Sequence, residues 1–141
     1  LERELGRLGV ETRRSLTLGG WVKTAIIPRI FRKEETHLEK AYKHAKPYLT
    51  RDIGGDAIEC VSDVANAKRT GIDGIVHISP FTCMPEIMSQ NIFPSIREDG
   101  AVPVLSIVLD EQTGRAGYVT RLEAFVDLMR RRKQNTLLAS T

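Results

Sequence analysis

Two short runs constrain this chain more than anything else in it: the β-branched segment Ile72–Ile78 and the apolar segment Pro103–Leu109. Between them, Pro85 to Glu98 carries a helical pattern. Strands that are apolar throughout, rather than on alternate residues, belong to sheets covered on both faces. When such strands alternate with helices they are joined by crossovers and lie parallel. Crossovers of this kind are right-handed, so the turns Pro80–Pro85 and Asp110–Gly117 are expected at one edge of the sheet. The pattern therefore predicts an α/β fold, with its chemistry at the carboxyl ends of the strands.

The remaining elements follow from periodicity and punctuation. Leu1, Leu5 and Leu8 recur at helical spacing and Gly9 caps the segment. Val10 to Leu16 reads as a strand, placed at an edge by Arg13 and Arg14. Thr17 to Phe31, broken by Gly19, Gly20 and Pro28, reads as a short helix or irregular segment. Glu34 to Leu49 is helical, with Leu38, Ala41, Tyr42 and Ala45 on one face. After the turn Arg51–Gly55, a second helix spans Asp56 to Thr70, with Asp56 as N-cap and Ala57, Val61, Val64 and Ala65 as its apolar stripe. A last helix, Val119 to Lys133, buries Leu122, Phe125, Val126 and Met129. Residues 1–133 are thus expected to form a single α/β domain and residues 134–141 a flexible tail. With no initiator methionine and a start inside a helix, the chain is expected to be a piece of a longer polypeptide.

Composition narrows the function classes. No apolar run approaches the roughly 20 residues that cross a bilayer, so no membrane partner is expected. Two cysteines make no disulfide framework and point to a reducing cytoplasm. The net charge of +3 is modest, and the run Arg130–Lys133 suits a helix C-terminus, so nucleic acid is not an expected partner. Neither a phosphate-binding loop nor a G-x-G-x-x-G motif is present, and Gly54-Gly55 before a helix is a weak anion signal.

Cys83 is the leading candidate for chemistry. It sits between a buried strand and the first turn of a helix, where free amide N–H groups favour a thiolate or another anion. The candidate ligand-binding residues are Ser79, Thr82, Asp110, Glu111 and Arg121, on or beside the two exit turns. Asp110 and Glu111 serve equally as turn-capping carboxylates, and an Arg121–Asp110 pair fixing the loop is a structural alternative. Cys60 reads as a small core residue, His77 as a packed, hydrogen-bonded histidine, and His37 and His44 as solvated. A nucleophilic role for Cys83 lacks a base partner other than His77, six residues upstream on the same strand.

Three segments in order carry a family resemblance: Pro80-Phe81-Thr82-Cys83-Met84-Pro85-Glu86-Ile87-Met88, then Val104-Leu105-Ser106 to Asp110-Glu111-Gln112-Thr113-Gly114, then Thr120-Arg121-Leu122-Glu123-Ala124-Phe125-Val126-Asp127. Over about residues 54–133 the chain resembles the C-terminal region of acyl-CoA dehydratase activase-related proteins. In these, an activase of the 2-hydroxyglutaryl-CoA dehydratase type is joined to a dehydratase-like region. The resemblance implies a Rossmann-like or flavodoxin-like three-layer domain with a small, mostly parallel sheet. It also implies an anaerobic system in which ATP drives a low-potential electron into an iron–sulfur dehydratase. By that likeness Cys83 is expected as one ligand of a [4Fe–4S] cluster in the full-length parent, with no cluster in the isolated chain. The implied partners are the activase (ATPase) and cysteine-bearing segments of the parent and an acyl-CoA substrate. The alternative is a catalytically silent interaction module on the same scaffold.

Overall fold

Gly71 to Gly74 lead into β1, Ile75–Pro80, and the chain returns to the same sheet as β2, Val104–Leu109. The computed structural model describes residues 1–15, 17, 19, 37–100, 102–110 and 114–139. Within them the helices are α1 (Glu2–Arg7), α2 (His37–Ala45), α3 (Ala57–Asn66), α4 (Met84–Glu98) and α5 (Arg115–Ala139). A single 3-10 turn, Ala67–Thr70, continues α3. No helix among the described residues is long and apolar enough to cross a membrane.

β1 and β2 pair in parallel, in register from Ile75 opposite Val104 to Pro80 opposite Leu109. Backbone bonds extend the ladder at both ends: Ile75 N–H donates to the Pro103 carbonyl at 3.0 Å, and Phe81 N–H to the Leu109 carbonyl at 2.9 Å. Pro80 ends β1, a position where its missing N–H breaks no internal rung. The predicted parallel α/β pairing is therefore observed, with both strands leaving at one edge.

Helices pack on both faces. Successive strand residues point to opposite sides. Ile75 and Val104 join the cluster of Ala41, Ala45, Ile58, Val61, Val64, Phe93 and Ile96 from α2, α3 and α4. Val76, Leu105 and Ile107 join Leu5, Leu122 and Val126 from α1 and α5. Fully burying an aliphatic side chain of this size contributes about 1.5–3 kcal/mol. The alanines Ala41 and Ala45 let α2 lie close on α3.

Two departures from the sequence reading have clear causes. Val10 to Ser15 form no strand, because the chain folds back as α1 closes: Gly9 N–H donates to the Gly6 carbonyl and Val10 N–H to the Leu5 carbonyl, both at 3.0 Å. Arg14 then pairs with Glu2 through a 2.6 Å bond. Leu16, most of Thr17–Phe31 and Glu34–Thr36 lie outside the described residues. The final helix starts four residues earlier than periodicity suggests and runs on through Ala139, into the stretch read as a tail. Asp56 does stand at the N-cap of α3, yet only its backbone carbonyl takes part, accepting from Cys60 N–H at 2.9 Å.

Candidate functional site

The exit edge is built by a tight turn. Cys83 N–H donates to the Pro80 carbonyl at 3.3 Å, and the Cys83 carbonyl accepts from Ile87 N–H at 3.0 Å, so Cys83 is both the end of the turn and the N-cap of α4. Thr82 takes a left-handed backbone, φ 63°, a costly choice for a β-branched residue. Its hydroxyl donates to the Phe81 carbonyl at 2.6 Å. Cys83 is half-buried, while Phe81 and Met84 on either side are each 66% exposed.

The other sequence-selected residues are spread around this edge. Ser79 is 1% exposed and its hydroxyl accepts from Gln90 Nε2 at 3.2 Å, so it is sealed beneath α4. Arg121 is exposed and donates to the Ser106 carbonyl at 2.7 Å, tying α5 to the middle of β2. Asp110 follows β2 directly and is exposed. Glu111 lies outside the described residues.

A second constellation forms under the sheet, where α3 and the first turn of α4 meet β1. Gly55 makes that meeting possible: its φ is 58°, and a Cβ there would stand 3.0 Å from Pro85 Cγ. The close approach brings Cys60 of α3 beside Glu86 of α4, its thiol donating to Oε2 at 3.5 Å. From β1, His77 Nε2 meets the same carboxylate oxygen in a buried hydrogen bond. Glu86 and His77 are only 7% and 6% exposed. The His77 ring stands edge-on to Phe93 with centroids 5.1 Å apart and planes at 79°. Its Nδ1 is the one buried side-chain polar atom among the described residues without a hydrogen-bond partner.

Comparison with protein-family models, with curated proteins and with solved structures finds no match to this chain.

The chemistry of the buried trio follows from its geometry. The carboxylate, not the imidazole, lies at its centre, so the thiol faces an acceptor that carries negative charge. Burial first, and the Glu86 charge second, push the Cys60 thiol well above the ordinary range. An activated nucleophile needs the opposite, a lowered pKa beside a base. The sulfur, imidazole nitrogen and carboxylate oxygen nonetheless all lie within 4.8 Å of one another, a donor set able to hold a metal ion.

The sequence reading takes Cys60 as core filler and His77 as a packed histidine, and gives Glu86 no role. One signal was available. An ionisable residue in the middle of a buried strand needs a polar partner, and His77 is such a residue. Which partner it finds depends on helix packing that no local pattern encodes.

Proposed function

We propose that the chain is a Rossmann-like, three-layer domain of a dehydratase-like protein acting in an ATP-driven iron–sulfur electron-transfer system of the cytoplasm. Its β1–α4 turn is the ligand-facing edge, and Cys83 is the thiolate that the domain contributes. The observation supporting this reading is the register of the sheet, parallel to its last pair, Pro80 and Leu109. That pairing gathers the two exit segments carrying the family-like residues at one edge, where α/β sheets bind ligands. The strained Thr82 beside Cys83 fits a turn shaped for a ligand rather than for stability.

The residues present do not make a cluster site by themselves. A [4Fe–4S] cluster takes three or four thiolates, and of the two cysteines Cys60, on α3, is engaged with Glu86 of α4. The remaining ligands, the ATP site and the contacts to an acyl-CoA thioester are assigned to other segments of the parent protein. The test is anaerobic reconstitution of that full-length parent with ferrous iron and sulfide. Cys83→Ser is expected to remove most of the visible cluster absorption and the bound iron. Unchanged iron content sinks the assignment.

A second reading, a catalytically silent docking module, is favoured by apolar side chains at the same edge: Ile78, Phe81, Met84, Val108 and Leu109 are all exposed. The two readings part on Cys83, because a docking module keeps its partner when that thiol becomes a hydroxyl.

A further inference from the structure

We propose that Cys60, His77 and Glu86 form a binding site for a divalent first-row transition-metal ion, of which Zn2+ is the type. The site is separate from Cys83 and independent of the role given to that residue above.

Three observations carry the inference. The first is donor chemistry. A thiol sulfur, an imidazole nitrogen and a carboxylate oxygen come from three different elements, α3, β1 and α4, and converge within 4.8 Å. A soft sulfur and a borderline imidazole beside a single hard carboxylate oxygen suit Zn2+ and its neighbours better than Mg2+ or Ca2+, which take mainly oxygen. The second is spacing. Bonds of about 2.0–2.3 Å to zinc put donor atoms of a tetrahedral site roughly 3.3–3.7 Å apart, and Cys60 Sγ stands 3.5 Å from Glu86 Oε2. The His77–Glu86 pair is closer, at hydrogen-bond contact, so the proposed ion requires these two atoms to move apart.

The third observation is the unpartnered His77 Nδ1 in an interior where the other buried side-chain polar atoms described are bonded. No partner at Nδ1 fixes which ring nitrogen carries the proton, so Nε2 is free to give up its hydrogen and bind an ion, although Nδ1–H then still lacks an acceptor. Without an ion, hydrogens hold the trio: the thiol and the Nε2–H each donate to the Glu86 carboxylate. A divalent ion takes the place of both. The Cys60 proton leaves to solvent, and the imidazole proton moves from Nε2 to Nδ1, onto the lone pair that nothing else in the core uses. Sulfur, Nε2 and carboxylate oxygen then bind the ion, and three protein ligands leave a fourth position for water or a substrate atom.

The experiment uses the full 141-residue chain, stripped with EDTA, then titrated with Zn2+ against a chromophoric chelator and, separately, with Co2+. About one ion per chain is expected, and the cobalt form is expected to show tetrahedral d–d bands with a near-ultraviolet sulfur-to-cobalt band. Cys60→Ser and Glu86→Gln are each expected to weaken Zn2+ binding at least about 100-fold, beyond what loss of a merely supporting residue costs. His37→Ala, at the exposed His37–Glu59 pair, should leave binding unchanged. Circular dichroism follows the fold of each variant, and the cobalt spectrum of the unaltered chain reads the sulfur ligand without any substitution. No uptake by the folded chain, uptake unaffected by Cys60→Ser, or loss on Cys83→Ser instead would each overturn the proposal.

Discussion

Cys60 and Cys83 are the same residue type in opposite situations, and the difference is set by neighbours. Burial and the Glu86 carboxylate hold the Cys60 proton on in the folded chain. The unfolded chain releases it near the free-thiol value of about 8.5. Above that pH the unfolded state binds fewer protons than the native one, so stability falls as pH rises, by at most about 1.4 kcal/mol per pH unit for this one group. Below it the contribution is constant. Urea unfolding of the metal-free protein at about pH 8 and about pH 10 should therefore show an alkaline loss that shrinks in Cys60→Ala. An equal loss in the two proteins contradicts the burial argument. Sequence made Cys83 visible because a strand, a proline and a helix start bracket it. It left the Cys60–His77–Glu86 trio dark because the three lie on different elements and share no spacing rule.

At the scale of elements, the approach of α5 to the sheet turns on Gly74. A Cβ there would come within 2.4 Å of Met129 Sδ and 2.9 Å of Phe125 Cζ, so the helix rests on a bare Cα. Gly74→Ala is expected to cost about 1–3 kcal/mol through overpacking, read as a lower urea midpoint with unchanged slope. Smaller than 0.5 kcal/mol would mean that Met129, which is only partly buried, simply swings aside. Strands were legible because β-branched and apolar residues run through both, and α3 and α4 because their stripes are regular. The start of α5 was not, since Gly114 and Gly117 look like a loop until Arg115 pairs with Glu4 of α1 at 2.7 Å and holds the first turn in place. The expected edge strand after Gly9 failed for the reverse reason: Arg14 finds its partner, Glu2, on α1, with no sheet edge involved.

Across the whole molecule, polarity is uneven. Two apolar clusters close off the sheet, yet its exit edge keeps Phe81, Met84, Ile87, Met88, Val108 and Leu109 in contact with solvent. Scattered exposed apolar residues are ordinary, whereas several on and after the two strand ends suit the docking surface proposed above. On the docking reading proposed above, the double substitution Phe81→Asp with Met84→Asp is expected to abolish capture of a partner domain in a pull-down. It should move stability by no more than about 0.5 kcal/mol, since neither side chain fills the core. A large stability loss instead would place both residues inside the fold. The α/β class was legible at this scale from the alternation of strands and helices, while the cover on one face depended on α1 and α5 packing together against the sheet. Their meeting has one mechanical consequence. Phe125 and Met129 stand one helical turn apart and straddle Gly74 like the walls of a keyway, and Arg130 latches onto the Leu8 carbonyl at 2.6 Å. These contacts oppose rolling and sliding of the helix, so Arg131 to Lys133, one turn further along the same rod, are held on a set side of the sheet, where Lys133 reaches Asp73 at 3.4 Å.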